Sequence, residues 1–184
     1  MRLLLIFTFI SYGLFAQCFS FNKQDVEVKW VAFKTPSKVG VPGWFKELGI
    51  KDYYTGSNYE EVLAELSFSI DPASTYTKNT DRDAKIVKFF FGKMVNDKIT
   101  GKIIKATDTE ILIELNINGV SKEVPLSLKK QKNKLVASGV MDVFDFKLQD
   151  SLAGINKACE QLHLGKTWND VELELSIKYS KSCK

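Results

Sequence analysis

The stretch STYTKNTDRDAKIVKFFF, residues 74–91, concentrates side chains that could do chemistry. It contains several hydroxyls, places Arg82 between Asp81 and Asp83, and ends in three consecutive phenylalanines. Such a combination could form a catalytic or ligand-binding site, because it sets charged and hydroxyl groups beside an apolar surface. It could equally be a helix that is charged only at its start. The other elements of the chain decide between these interpretations.

Two segments have helical spacing. Thr80 followed three residues later by Asp83 resembles a capping box, which favours a helix from about Asp81 to Phe90. The segment SLAGINKACEQLHLG, residues 151–165, repeats apolar residues at helical intervals and ends in a glycine, which predicts a second helix.

The remaining chain alternates apolar and polar residues with a period of two. This pattern is typical of antiparallel strands that bury one face. Asn118-Gly119 between two apolar runs predicts a tight hairpin. About eight strands with short turns indicate an all-β barrel or sandwich. The clearest alternating segments are VEVKWVAF from Val26, AELSFSI from Ala64, EILIELNI from Glu110 and VELELSIKY from Val171.

The usual catalytic and metal-binding sets are missing from the sequence. His163 is the single histidine and there are three cysteines, whereas zinc and copper sites combine several such ligands. The chain has no G-x-S-x-G, Gly-rich phosphate-loop or H-E-x-x-H motif. Asp142 and Asp145 would point to opposite faces of a strand. We therefore predict no enzyme activity, no catalytic residue, no metal and no cofactor.

The N-terminus predicts export. Met1 and Arg2 precede the apolar run LLLIFTFI, and a small residue follows at Ala16. This is the pattern of a cleaved signal peptide over residues 1–16, which is too short to span a membrane. The mature chain, 17–184, would be one periplasmic or secreted domain without an integral membrane span. Cys18 leaves open an alternative in which the mature N-terminus is lipidated.

The charges do not favour a nucleic-acid partner. The chain has 26 basic and 22 acidic residues, and the two kinds are interspersed along the sequence. The densest basic run, KKQKNK from Lys129 to Lys134, lies between two predicted strands and is expected to be a solvated hairpin tip.

Residues 74–91 contain, in order, a Ser, a T-x-N, an R-D pair and a phenylalanine run, and by this pattern the mature chain resembles the YceI-like family of exported, lipocalin-like proteins. VPGWF, residues 41–45, is similar to an early element of that family, and TWNDVELELSI to its closing strand. Ala84, Lys85 and Ile86 depart from the family pattern, which commonly has a histidine after the Arg-Asp pair. The most specific part is a pattern of Ser, T-x-N, R-D and phenylalanines, carried here by Ser74, Thr77, Asn79, Arg82, Asp83, Phe89 and Phe90.

The resemblance implies an eight-stranded antiparallel lipocalin-like barrel with one or two short helices. It also implies a carrier that binds a polyisoprenoid or similar long-chain amphiphilic lipid in its interior. The alternative is a non-enzymatic envelope or stress-related interaction module with a fully packed core, and an enzyme acting on bound lipid ranks third. A homodimer is left open.

Within such a barrel, aromatic residues would line the ligand site, although each could also be ordinary core. A headgroup at the barrel mouth could meet Arg82 or Lys85. Alternatively, Arg82 and Asp83 form a structural pair that ties the helix to the barrel. The expected lining residues are Trp30, Phe68, Phe89, Phe90, Phe144 and Phe146.

The implied barrel also predicts which cysteines form a disulfide. If the strand from Val26 to Phe33 pairs with that from Val171 to Tyr179, Cys18 and Cys183 project beyond the same barrel end. We therefore expect a Cys18–Cys183 disulfide, with Cys159 as a free thiol packed on the second helix.

Overall fold

The computed structural model describes residues 18–163 and 166–182. The predicted signal peptide and Cys183 lie outside the described residues. Among the residues that are described, no helix is both long enough and apolar enough to cross a membrane.

The chain is mostly antiparallel β-structure with short helices. The helices are α1 (Tyr59–Ala64), α2 (Thr80–Phe89), α3 (Gln149–Ala158) and α4 (Glu160–His163). The strands are β1 (Phe19–Asn22), β2 (Val26–Lys34), β3 (Val39–Phe45), β4 (Leu48–Gly49), β5 (Tyr53–Gly56), β6 (Ser67–Ile70), β7 (Thr75–Tyr76), β8 (Ile99–Ala106), β9 (Glu110–Ile117), β10 (Val120–Gln131), β11 (Lys134–Asp142) and β12 (Thr167–Lys178).

Ten strands form one curled sheet in the order β4-β6-β8-β9-β10-β11-β12-β2-β3-β7, and β1 pairs separately with β5. The two-residue strands β4 and β7 end this order, and the eight strands between them match the predicted number of strands. The sheet curls into a half-barrel. Residues 39–49 connect the two ends of the strand order, because β3 pairs with β2 while β4 pairs with β6. The predicted all-β, lipocalin-like fold is confirmed.

Alternation along the strands builds the core. In β9 every second residue is buried, from Ile111 to Ile117, and the residues between them are partly exposed. The predicted hairpin follows directly, with Asn118 and Gly119 both at positive φ, 55° and 76°. These two residues suit the turn because asparagine and glycine tolerate this backbone conformation.

The first long strand pairs with the last, as predicted. Val26 lies opposite Ile177, and Ala32 lies opposite Val171. Ser20 and Ser180 exchange two backbone hydrogen bonds of 3.0 and 2.8 Å beyond this seam. Cys159 is a free, buried cysteine, as expected. The Cys18–Cys183 bridge stays a prediction, because Cys183 is not among the described residues.

The two ends of the barrel differ. We call one the helical end: it holds the β2–β3 turn, the start of β12, and helices α2 and α3, which contact each other. The opposite end, which we call the hairpin end, holds the β10–β11 turn at Lys132 and Asn133, together with α1 and the β1–β5 pair.

Candidate ligand-binding cavity

A cavity of about 610 Å³ lies inside the curled sheet. Its wall includes residues from β2, β3, β6, β8, β9, β10, β11 and β12, and α2, α3 and α4 add residues at the helical end. The wall is mostly aliphatic and aromatic. Pockets that hold small organic ligands have similar volumes and a similar apolar character. The interior therefore has room for an elongated apolar molecule.

Trp30 and Phe68, two of the expected lining residues, lie in the cavity wall, and each fits because a glycine faces it. A methyl group on Gly43, which pairs with Trp30 across β2 and β3, would lie 2.1 Å from Cζ2 of the indole. A methyl group on Gly101 would lie 2.4 Å from Cζ of Phe68. Real Cβ atoms do not approach so closely, so the two glycines set where these rings lie.

Helix α2 presents one face to the cavity. Arg82, Ile86 and Phe90 follow one another at four-residue intervals and all line it, and Lys85 lines it too. The predicted lining residue Phe89 does not belong to this wall. It lies about 100° around the helix from Phe90 and is half-buried against the core beside α3.

Phe144 and Phe146, which were expected to line the ligand site, lie outside the wall of this cavity. Residues Val143–Phe146 form a 3-10 turn rather than a continuation of β11, and the Asp142 carboxylate caps this turn by accepting from the Phe144 backbone N–H at 2.8 Å. The turn leaves Phe144 41 % exposed and packs Phe146 into the solid core, at 1 % exposed.

Several residues of the cavity wall were not predicted from the sequence. Phe45 and Phe91 line the wall, and their rings are 6.2 Å apart. Trp168 also lines it, although strict alternation from Val171 would turn it to the opposite face. A register shift between Thr167 and Val171 breaks that alternation. A bulge of this kind re-aims side chains and leaves no clear sequence signal.

Thr77 organises the charged half of the opening stretch. It is 3 % exposed, and its backbone N–H and hydroxyl both donate to Asp83 Oδ1, at 2.8 and 2.5 Å. Arg82 donates from Nε to Thr77 Oγ1 and from a terminal nitrogen to Thr77 O, each at 2.7 Å. Arg82 and Asp83 therefore meet through Thr77, which replaces the direct pairing that the sequence suggested.

The start of α2 is capped by Asn79, whose side-chain oxygen accepts from the Arg82 backbone N–H at 2.9 Å. The expected capping box between Thr80 and Asp83 does not form, since Asp83 is committed to Thr77. The T-x-N-x-x-R-D pattern is thus a local hydrogen-bonded structure. It holds α2 at the helical end, beside the cavity.

Polar residues of the cavity wall gather mainly at the helical end. Asn79, Asp81, Arg82 and Lys85 come from the start of α2, and Lys34 from the end of β2. Leu162 also lines the cavity although it is 66 % exposed, which marks where the cavity opens to solvent. The cavity is therefore amphiphilic, with an apolar interior and a charged opening.

Perturbed pKa values occur at the hairpin end instead. Partial burial, reinforced by a 2.6 Å hydrogen bond to Asp108, raises the pKa of the Tyr59 phenol well above its usual value. A hydrogen bond from the Lys130 ammonium holds the pKa of Asp108 below its usual range. These contacts join α1 to the β8–β9 and β10–β11 turns and lie away from the cavity opening.

Groups of three or more residues suited to a metal ion are absent from the described part of the chain.

Comparisons with known proteins agree with this geometry. The solved structure of a polyisoprenoid binding domain from Saccharophagus degradans has a TM-score of 0.61 and 15 % identity, covering 90 % of this chain and 99 % of that one. Burkholderia cenocepacia BcnA has a TM-score of 0.55 and 15 % identity, with coverages of 85 % and 97 %. At these identities the likeness shows the fold alone.

A YceI protein from Campylobacter jejuni has a TM-score of 0.51 and 21 % identity, covering 79 % of this chain and 87 % of that one. A search among curated proteins found no sequence match. The family model described as the YceI-like domain matches residues 20–179, which is nearly the whole described structure. The chain therefore belongs to the YceI-like domain family.

Proposed function

We propose that this chain is an exported, non-enzymatic carrier that holds a polyisoprenoid or similar long-chain amphiphilic lipid in its interior cavity. The observation that carries the proposal is the cavity of about 610 Å³, apolar inside and charged at its opening. Family membership and the fold shared with a polyisoprenoid binding domain support the same assignment.

Burial of hydrocarbon supplies the driving force. Each methylene-sized group moved from water into the cavity contributes roughly 0.8 kcal/mol. Ordering of a flexible chain and loss of its free motion offset part of that gain. A few isoprene units in contact with Trp30, Phe68 and Phe90 are enough for useful affinity, while a short hydrocarbon is not.

A polar headgroup would sit at the helical end, where Lys34 and Lys85 line the opening. Arg82 is also there, but Thr77 already occupies part of its guanidinium. Lys85 is therefore the better candidate for an anionic headgroup. Asp81 weakens the positive potential and does not abolish it.

The cavity also separates this proposal from the alternative of a packed interaction module. That alternative needs an interior filled by its own side chains, and a cavity of about 610 Å³ favours the carrier over it. Support for a catalytic role is weaker. Cys159, Thr167, Asp81 and Glu174 at the wall could act as nucleophiles or bases, but no hydrogen bond joins two of them among the described residues.

Native mass spectrometry of the protein, purified without detergent from a membrane-containing extract, tests the assignment. We expect an adduct with the mass of an isoprenoid or another long-chain lipid, recoverable by organic extraction. Lys85→Ala should lower the retention of an added polyprenyl phosphate more than that of the matching alcohol. Repeated absence of any lipid adduct would refute the proposal.

A further inference from the structure

The opening of the cavity is surrounded by basic and apolar side chains at the helical end. We call this set the basic rim and define it as Lys34, Lys38, Leu162, Lys166 and Trp168. Three of its members, Lys34, Leu162 and Trp168, also line the cavity. Any lipid that enters through this opening must pass them.

Trp168 is the fixed centre of the rim. Its indole Nε1 donates to Thr35 O at 2.8 Å, which ties the start of β12 to the β2–β3 turn. The Lys166 ammonium lies 4.3 Å from the Trp168 ring centroid, and the Lys38 ammonium lies 5.2 Å from it. Tryptophan held beside lysine is the pairing found at membrane–water interfaces, where the ring meets the headgroup layer.

Charge at the opening favours a negative partner. Asp170 neutralises Lys38 through a 2.7 Å ion pair. The basic side chains of the rim and of α2 still outnumber the acidic ones of α2 and beside the rim, six to four: Lys34, Lys38, Arg82, Lys85, Lys88 and Lys166 against Asp81, Asp83, Glu160 and Asp170.

The hairpin end is basic too, at Lys129 and Lys132, but it lacks the other features of the rim. The opening and the exposed apolar side chain of Leu162 lie at the helical end. Only a surface that combines positive charge, an exposed apolar residue and the entrance lets a lipid leave a bilayer without crossing water.

We propose that the basic rim is a docking surface for an anionic phospholipid bilayer, which the protein contacts with its cavity opening facing the membrane. Trp168 and Leu162 enter the interfacial layer, and Lys34 and Lys166 meet anionic headgroups. The inference rests on the proposed carrier function, since it supplies the route by which the ligand enters.

Vesicle co-sedimentation of the lipid-free mature chain tests the docking surface without depending on any cavity ligand. The vesicles are equal parts phosphatidylcholine and phosphatidylglycerol, compared with phosphatidylcholine alone. We expect preferential binding to the anionic vesicles. The double variant Lys34→Glu/Lys166→Glu should lower this binding about tenfold or more.

Lys129→Glu/Lys132→Glu is the matched control, because it makes the same charge change at the hairpin end. It should retain binding within about threefold, since its lysines lie away from the docked surface. Trp168→Phe should remove most of the fluorescence quenching by brominated lipids, and Trp44→Phe should not.

Equal losses of vesicle binding in the two charge variants would overturn the proposal. They would show that the protein is attracted to anionic vesicles by its overall charge, without one particular surface facing the membrane. Rim-dependent self-association with no vesicle binding would overturn it as well. Native mass spectrometry of the wild-type chain keeps the two claims separate: a wild-type chain that carries a lipid adduct but does not bind the anionic vesicles would refute docking and leave the carrier function standing.

Discussion

Trp30 packs directly over Gly43, its partner on the neighbouring strand, and a methyl group on that glycine would lie 2.1 Å from the indole. Gly43→Ala should therefore displace the ring into the cavity. We expect a loss of about 1–3 kcal/mol in the free energy of unfolding, as for other overpacked interiors, together with weaker lipid retention. Denaturant unfolding and tryptophan emission measure both effects.

Gly40→Ala is the control, since Gly40 lies on the same strand. The nearest atom to its added methyl, on the Val31 side chain, would be 3.1 Å away, so the methyl needs a much smaller adjustment. It should change stability much less than Gly43→Ala. Equal effects of the two variants would show that Gly43 does not set the position of Trp30.

Thr77 joins Arg82 to Asp83 through its buried hydroxyl. Thr77→Val keeps the shape but removes the hydroxyl, so two charged groups each lose a partner. We expect a loss of about 1–3 kcal/mol in the free energy of unfolding. The backbone amides of α2 should also exchange their hydrogens faster. Thr77→Ser keeps the hydroxyl and should retain most of the stability. If valine is tolerated as well as serine, the network is not structural.

Cys159 is buried, free and part of the cavity wall. The reactivity of its thiol should therefore report whether a lipid occupies the cavity. A bound lipid should slow its alkylation by iodoacetamide several-fold, because the reagent reaches the thiol through the cavity. The control is a cysteine on the exposed side of β11, made as Ser138→Cys in a Cys159→Ser background. Its rate should not respond to lipid. Unchanged Cys159 reactivity on lipid addition would place the ligand elsewhere.

The terminal seam predicts a Cys18–Cys183 disulfide, because Ser20 and Ser180 are hydrogen-bonded nearby. Non-reducing peptide mapping should recover this pair, and Cys183→Ser should lower the free energy of unfolding by about 2–4 kcal/mol. Cys159→Ser should leave the bridge intact. A bridge that contains Cys159, or a lipid attached to Cys18, would contradict the prediction.

The sequence was sufficient for the architecture where a regular period extends over many residues. The alternation in β9 and β12 and the Asn118-Gly119 turn predicted strands and a hairpin that the structure contains. It was insufficient for β1 and β5, because four-residue strands are too short to show a period.

Local hydrogen bonds explain the errors at the site. Asp142 caps the 3-10 turn that follows it, and Asn79 caps helix α2. Such side-chain contacts compete with continuation of a strand or shift the start of a helix. Whether an aromatic residue lines the cavity or fills the core also depends on the element that carries it. Phe68 lies on strand β6 and lines the cavity, whereas Phe146 lies on the 3-10 turn after β11 and packs into the core.

The central claim is that the cavity itself holds the lipid. Its most direct test is native mass spectrometry of delipidated protein incubated with geranylgeraniol, comparing the wild type with Ala32→Trp and Ala84→Trp. Ala32 lines the cavity, whereas Ala84 is exposed on α2. The account predicts an adduct in the wild type and in Ala84→Trp, and its loss in a folded Ala32→Trp. Equal adducts in all three proteins would contradict it.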